Sequence, residues 1–160
     1  EGRRFKSCRP DHFMKIQKVV IIGSGTMGSG IAAHLCNANI PVVLLDLKTE
    51  IAEKAKERIL KSRPPLLFES SKIQNLKTGN ISDNFENVSD ADWIIEAVVE
   101  RINIKHDIYK KIFKVRKKNS LISSNTSTIP LKVLSEKLNS ADKKDFCITH
   151  FLILLDTWVF

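Results

Sequence analysis

Apolar residues follow two different spacings along this chain, and the two spacings alternate. Unbroken aliphatic runs at residues 19–22 and 42–45 are typical of strands buried on both faces of a parallel sheet. Between these runs, small and apolar residues recur at helical spacing over residues 27–39. A charged amphipathic stretch follows over residues 48–62, and Pro64 and Pro65 end it. This half of the chain therefore predicts strand, helix, strand and helix in turn.

The second half of the chain continues the alternation after one ambiguous stretch. Residues 66–80 allow a short helix, and Gly79 with Asn80 indicates a turn before a short strand at residues 81–85. Beyond them the pattern predicts strands that alternate with helices: strands at residues 93–97, 121–122 and 146–148, and helices at residues 104–115 and 131–138. Such alternation predicts an α/β fold with a doubly wound, mostly parallel sheet of the Rossmann type.

The composition fits one globular domain. A chain of 160 residues can bury one sizeable core, and 42% apolar with 28% charged residues is ordinary for such a protein. No apolar run approaches the roughly 20 residues of a membrane-spanning helix. The net charge of +8 is spread along the chain without a recognition motif or an aromatic platform. We therefore expect neither nucleic acid nor a membrane as a partner.

The first residues and the cysteines indicate the compartment. Residues 1–14 are basic but lack the apolar core and cleavage site of a secretory signal, and Pro10 disfavours the amphipathic helix of a mitochondrial presequence. We expect a disordered extension there, and a cytoplasmic location rather than the mitochondrial matrix. Cys8, Cys36 and Cys147 are odd in number and have no histidine at ligand spacing. They are expected to be free thiols, and no metal site is predicted.

A glycine-rich loop follows the first predicted strand. Gly23, Gly25 and Gly28 give the spacing G-x-G-x-x-G in GSGTMG, between a strand and the helix that it opens. Gly23 suits a tight turn, Gly25 leaves room for a pyrophosphate, and Gly28 allows close helix–strand packing. Amides at the helix start, at Thr26 and Met27, are placed to bind the phosphate charge. In this context the loop predicts a dinucleotide site, whereas a glycine turn alone would be weak evidence.

An acidic residue ends the second predicted strand. Asp46 lies near the spacing of about 20 residues at which a carboxylate accepts the hydroxyls of the adenosine ribose. Its charge would repel a 2′-phosphate, which favours NAD over NADP. On these residues alone FAD remains open, and Asp46 could instead cap the helix that follows.

Five segments of the chain occur together in a known family. In order they are GSGTMGSGIA, VVLLD, DWIIEAVVE, SSNTSTIP and FCITHF, and together they resemble the NAD-binding domain of 3-hydroxyacyl-CoA dehydrogenases, most closely the bacterial fatty-acid β-oxidation type. The resemblance covers residues 15–151. It implies NAD as cofactor and oxidation of an L-3-hydroxyacyl-CoA to the 3-ketoacyl-CoA. Dehydrogenases of the 6-phosphogluconate type share the glycine loop but not the last two segments.

The resemblance also implies roles for single residues. Glu100 and Lys105 correspond to a pair near the cofactor, and Asn125 corresponds to a residue on its nicotinamide side. Ser127 corresponds to the serine that hydrogen-bonds the substrate oxygen, and His150 corresponds to the general base. Imidazole suits that task because it titrates near neutral pH. Without the resemblance, serine and asparagine after a strand most often form caps and turns, and a single histidine is usually structural.

The sequence departs from the family after Phe151. Family members continue H-F-F-N-P, supply a glutamate that orients the histidine, and add a helical domain over the acyl-CoA, whereas this chain reads HFLILLDTWVF. One base added to the codons of this tail can restore H-F-F-N-P, so we expect residues 152–160 to be an out-of-frame hydrophobic tail. We then expect a truncated protein without the helical domain, with impaired oligomerisation and little or no activity. The alternative is a non-catalytic NAD-binding module or a pseudogene product.

Overall fold

The computed structural model describes residues 15–151, which form a six-stranded sheet with helices on both of its faces. The strands, numbered in chain order, are Val19–Ile22 (β1), Val42–Asp46 (β2), Leu76–Asn80 (β3), Trp93–Glu96 (β4), Leu121–Ser124 (β5) and Phe146–Ile148 (β6). They pair in the order β3-β2-β1-β4-β5-β6, and every pair is parallel. The predicted doubly wound parallel sheet is therefore confirmed. The expectations for residues 1–14, with Cys8, and for residues 152–160 lie outside the described range.

Within the described range, four α-helices cover the two faces of the sheet: Thr26–Asn37 (α1), Thr49–Lys61 (α2), Ile102–Val115 (α3) and Leu131–Leu134 (α4). Helices α1 and α2 pack on one face, and α3 and α4 pack on the other. The four residues of β1 are wholly buried and alternate between the two apolar clusters. This double burial explains why β1 is an unbroken aliphatic run rather than an alternating one.

The strand order creates a crevice at one edge of the sheet. After β3, at one edge, the chain returns to the middle and forms β4 beside β1. The connections that leave β1 and β4 therefore run in opposite directions, and a crevice opens outside their carboxyl ends. Ligands of open α/β sheets bind at such a position.

The third strand lies earlier in the chain than the sequence predicts. A strand is expected at residues 81–85, but β3 is Leu76–Asn80, and the expected turn residues Gly79 and Asn80 lie inside it. The Asn80 side-chain oxygen accepts hydrogen bonds from the amides of Ser82 and Asp83, and this turn ends the strand. The prediction is wrong because an edge strand needs few apolar residues: only Leu76 and Gly79 are buried.

The fourth helix is shorter than predicted. A helix is expected over residues 131–138, but α4 is a single turn. Past it the amides of Glu136 and Leu138 bond to carbonyls three residues earlier, at Val133 and Ser135, which is a pattern of turns rather than of an α-helix. Leu134 and Leu138 still pack in the core. The helical spacing of the apolar residues is therefore produced here by consecutive turns.

The two described cysteines, Cys36 and Cys147, are free thiols, as expected. Burial raises the pKa of the Cys36 thiol to about 11, against a weaker lowering effect of Lys56. Among residues 15–151 no cluster of three or more histidine, cysteine or acidic side chains is suited to a metal ion. None of the helices in this range has the length and apolarity that crossing a bilayer requires.

Candidate functional site

Residues 15–151 form two cavities in the crevice at the carboxyl edge of the sheet. Cavity A, of about 360 Å³, is lined by Gly23, Ser24 and Gly25, by Asp46, and by apolar side chains from both halves of the sheet. Cavity B, of about 450 Å³, is lined by Met27, Glu100, the segment 125–127 and His150. Residues 97–99, which follow β4, line both cavities. The glycine loop and this segment thus form the boundary between two adjoining spaces.

The glycine loop is closely packed at Gly23 and Gly28 and open at Gly25. Gly23 has a φ of +105°, and a Cβ there would lie 2.5 Å from the carbonyl oxygen of Ala97. A Cβ on Gly28 would overlap the carbonyl oxygen of Gly23, so α1 approaches the loop at van der Waals limits. Gly25, in contrast, is exposed, and apart from its own chain neighbours no atom of residues 15–151 lies within 4 Å of its Cβ position. The open space lies at the start of α1, where backbone amides and the helix dipole favour an anion.

Thr26 and Met27, the other two predicted loop residues, differ in position. Thr26 is the first residue of α1 and is exposed. Met27 is half-buried and lines cavity B. Only the second of these side chains therefore faces either cavity.

Asp46 is fixed to the glycine loop by its carboxylate. The amide and the hydroxyl of Ser24 both donate to Asp46 Oδ2, at 2.7 Å and 2.6 Å, and the amide of Leu47 donates to Oδ1 at 2.7 Å. The N-cap of α2 is Lys48, so Asp46 does not cap that helix. The carboxylate lines cavity A instead.

Cavity A has an apolar wall that the sequence analysis does not identify. Leu47, Ile51, Val99 and Ile104 are between 36% and 74% exposed, and all four line this cavity. Ile51 and Ile104 are the third residues of α2 and α3, at the helix ends nearest the carboxyl edge of the sheet. The signal in the sequence is that each begins the apolar stripe of its helix. An apolar wall beside a carboxylate suits the adenine and ribose of a dinucleotide.

Cavity B is lined by the residues to which the family resemblance assigns roles at the nicotinamide and at the substrate oxygen. Asn125 and Ser127 follow β5, and His150 follows β6, so the parallel strands deliver them to the same edge. The amide of Asn125 bonds to the carbonyl of Glu96 at 2.7 Å, and the amide of Thr149 bonds to the carbonyl of Ser124 at 3.1 Å. These bonds extend the sheet beyond its regular strands. Ser127 and His150 are both exposed at the cavity.

Glu100 and Lys105, predicted as a pair near the cofactor, occupy different environments. Glu100 lines cavity B, and its carboxylate accepts a hydrogen bond of 3.1 Å from Thr126 Oγ1. The side chain of Lys105 is wholly buried, with its amine 2.7 Å from Glu96 Oε1 and 3.6 Å from Glu100 Oε2. Lys105 therefore lies behind the wall of the cavity and contacts the carboxylate of Glu100.

Glu96 is the centre of a buried network that the sequence does not predict. Its Oε1 accepts from Lys105 and from the Val98 amide, and its Oε2 accepts from the Tyr109 and Ser124 hydroxyls at 2.6 Å each. Burial, followed by the charge of Glu96 and the hydrogen bond to it, raises the pKa of Tyr109 far above its ordinary value. The phenol is consequently a donor to Glu96. The network joins β4, β5 and α3, and the segments that follow β4 and β5 line cavity B.

The sequence of the chain matches a known protein family. The sequence model described as "3-hydroxyacyl-CoA dehydrogenase, NAD binding domain" matches residues 18–153. The chain is 39% identical over 145 residues to a "Probable 3-hydroxyacyl-CoA dehydrogenase" of Deinococcus radiodurans, covering 86% of this chain and 42% of that protein. It is 40% identical over 151 residues to a peroxisomal fatty acid beta-oxidation multifunctional protein of Arabidopsis thaliana, covering 88% and 21% respectively.

Solved structures of two dehydrogenases align with this chain. A 3-hydroxybutyryl-CoA dehydrogenase of Escherichia coli aligns with a TM-score of 0.76 at 26% identity, covering 87% of this chain and 30% of that one. An (S)-3-hydroxybutyryl-CoA dehydrogenase of Ralstonia eutropha aligns with a TM-score of 0.70 at 28% identity, covering 86% and 50%. The chain thus spans half or less of the length of these relatives.

Proposed function

Because this chain belongs to the 3-hydroxyacyl-CoA dehydrogenase family, through its NAD-binding domain, we propose that it holds NAD across cavities A and B for the oxidation of an L-3-hydroxyacyl-CoA to the 3-ketoacyl-CoA. The observation that carries the proposal is the shared lining of cavity B by Asn125, Ser127 and His150, next to the glycine loop. The acyl-CoA substrate and the cytoplasmic location belong to the same proposal.

The described residues fit the parts of NAD in order. Cavity A would hold the adenosine, with its apolar wall against the adenine and the carboxylate of Asp46 accepting from the ribose. The open space before Gly25 would hold the pyrophosphate. Cavity B, lined by Met27, Glu100 and Asn125, would hold the nicotinamide. The two adjoining cavities thus offer room for one dinucleotide along the crevice.

The chemistry assigned to the chain is proton transfer and orientation. NAD, when bound, supplies the acceptor for the hydride that leaves the substrate carbon. The His150 ring, which is exposed at cavity B, would remove the proton of the 3-hydroxyl as the general base. The Ser127 hydroxyl donates a hydrogen bond to the same substrate oxygen and orients it towards His150.

A second function, NAD binding without turnover, is favoured by the surroundings of His150. Among residues 15–151 its ring has no hydrogen-bond partner, and the carboxylate of cavity B, Glu100, bonds to Thr126 instead. A general base without an orienting acid is poorly aligned, and mutation of such acids slows catalysis by orders of magnitude. The chain alone is then expected to bind NAD and to react slowly or not at all.

The experiment separates binding from turnover. NADH fluorescence during titration of the 160-residue chain measures affinity, and NADH formation from L-3-hydroxybutyryl-CoA measures activity. Asp46→Ala should weaken NADH binding by about ten- to a hundredfold, because the ribose loses its hydrogen bond to a charged group and the glycine loop loses the carboxylate that Ser24 binds. His150→Asn should leave binding unchanged and remove any turnover.

The matched control for His150 is His34→Asn, which alters an exposed histidine of α1 that lines neither cavity. It should change neither measurement. Turnover that survives His150→Asn contradicts the catalytic role, and absence of NADH binding by the unaltered chain contradicts both functions. Binding without turnover in the unaltered chain supports the second function.

A further inference from the structure

Among the described residues that line cavity A, Ser24 connects the two that are charged, Asp46 and Arg58. It is only 1% exposed, and its amide and hydroxyl both donate to Asp46 Oδ2, at 2.7 Å and 2.6 Å. Its carbonyl accepts a hydrogen bond of 2.8 Å from Arg58 Nη2. One buried residue of the glycine loop therefore contacts both a carboxylate from β2 and the guanidinium of Arg58, an exposed residue of α2.

The hydrogen bonds of Asp46 limit what it can still accept. A carboxylate has about four lone-pair sites. Oδ2 already accepts two hydrogen bonds from Ser24, and Oδ1 accepts one from the amide of Leu47. One site on Oδ1 is left for a ligand, whereas a ribose offers two neighbouring hydroxyls. Recognition of both hydroxyls then needs a second group.

Arg58 is that group by position and by chemistry. It lines cavity A together with Asp46 and Gly25. Its bond to the Ser24 carbonyl uses one of five guanidinium donors, and the bond is to a neutral oxygen, so the positive charge is retained. A guanidinium so held can donate to a ribose oxygen, and it would also attract a phosphate at the same place.

We infer that Arg58 and Asp46 together recognise the adenosine ribose and that Ser24 is the positioning residue that holds both. Asp46 accepts from one hydroxyl through Oδ1, and Arg58 donates to the oxygen of the other. This inference rests on the proposed placement of NAD in cavity A. It follows that the charge of Asp46 alone excludes a 2′-phosphate. Without that charge, Arg58 would bind the 2′-phosphate of NADP.

Binding of NADH and NADPH by the full chain, followed by their fluorescence, tests the inference. Arg58→Met should weaken NADH binding about tenfold, as expected for one hydrogen bond from a charged group. Lys61→Met is the matched control, because Lys61 also belongs to α2, with a 78% exposed side chain paired with Glu57. It removes the same charge outside cavity A and should have no effect.

The reciprocal test uses NADPH. Asp46→Asn should allow NADPH to bind, and the further change Arg58→Met should weaken that binding by about tenfold or more, whereas Lys61→Met in the same background should not. Ser24→Ala should weaken NADH binding several-fold, because Asp46 loses one of its two bonds from Ser24. Since a buried residue is altered there, the Arg58 variants, checked for folding by thermal unfolding, decide the inference.

The outcomes separate the inference from the proposed function. Tight NADH binding by the unaltered chain, with equal affinities for Arg58→Met and Lys61→Met, overturns the inference and leaves the proposed function intact. NADPH binding by Asp46→Asn that does not depend on Arg58 also overturns it. Failure of the unaltered chain to bind NADH overturns the proposed function, and the inference with it.

Discussion

The side chains of Glu96 and Lys105 form an ion pair of 2.7 Å from which solvent is wholly excluded. Neither group could be buried alone at an acceptable cost in free energy. The remaining acceptor positions of Glu96 are occupied by Val98, Tyr109 and Ser124, so the charge of the carboxylate is fully compensated. The pair thereby connects β4 with α3.

Lys105→Met is expected to destabilise the fold by about 3–5 kcal/mol, because it leaves the Glu96 carboxylate buried without its counter-charge. Chemical denaturation gives the free energy of unfolding. Lys110→Met, at an exposed position on the same helix, should change it by less than about 0.5 kcal/mol. Equal effects of the two substitutions would show that the buried pair has no special importance.

Gly28→Ala and Gly25→Ala should have opposite consequences. At Gly28 a methyl group overlaps the carbonyl oxygen of Gly23, so we expect a loss of stability of about 3 kcal/mol or a failure to fold. At Gly25 the methyl group meets no other atom of the described part of the chain beyond its sequence neighbours, and φ is an ordinary −63°, so stability should be almost unchanged. NADH affinity should nevertheless fall, because the methyl group enters the space proposed for the pyrophosphate. Thermal unfolding and NADH titration measure the two effects, and a stable Gly28→Ala variant would be the contrary result.

Tyr109 is the single tyrosine of the chain, so the ultraviolet absorbance of tyrosinate reports on it alone. Its pKa is raised in the folded state, so the folded protein retains the phenolic proton at a pH at which the unfolded chain releases it, above about 10. The stabilisation is complete below the unfolded pKa and is lost as the pH rises above it. Tyrosinate absorbance should therefore appear only together with the loss of circular dichroism. Ionisation near pH 10 with an unchanged dichroism spectrum would refute the prediction.

Asp92 should contribute stability that depends on pH in the acid range. Burial raises its pKa, but hydrogen bonds from Lys117 and from the amides of Gln17 and Lys18 outweigh burial, and the net effect lowers the pKa. The stabilisation is present above the unfolded value of about 3.9 and is lost as the pH falls through the lower folded value. Asp92→Asn should cost about 1–3 kcal/mol near neutral pH, and this difference should shrink at strongly acid pH.

Asp90→Asn provides the comparison for Asp92. Asp90 forms an ion pair with Lys18, but its side chain is 67% exposed, and exposed pairs contribute little. Denaturation at several pH values should thus show a small and nearly constant effect. A difference for Asp92 that is the same at neutral and acid pH would contradict the assigned cause.

The sequence predicts those elements whose pattern is determined by burial. β1 and β2 are unbroken aliphatic runs because both faces of each strand are covered, and α2 begins and ends within one residue of its prediction. α1 ends two residues early, and Asn39, just beyond it, has a positive φ of 58°. The sequence does not predict β3, because this edge strand has only two buried positions and therefore no aliphatic run.

The candidate site likewise contains some residues that the sequence predicts and others that it does not. The glycine loop and Asp46 can be found from spacing, because each lies at the carboxyl end of a strand that is itself recognisable. The exposure of Ile51 and Ile104 cannot be found in this way, since it depends on the crevice between two helices that pack on opposite faces of the sheet. The role of Glu96 likewise depends on donors from three separate elements. Such contacts are properties of the assembled fold.

The strand order has a thermodynamic consequence for the whole domain. β1, β2 and β3 come from the first part of the chain and β4, β5 and β6 from the second, and the two halves of the sheet pair along β1 and β4. Cavity A is lined from both halves, by Asp46 on one side and Ile104 on the other. A dinucleotide held there would be released when either half opens. By mass action its concentration would therefore protect both halves against opening to the same extent, by about 2.7 kcal/mol at a hundred times its dissociation constant.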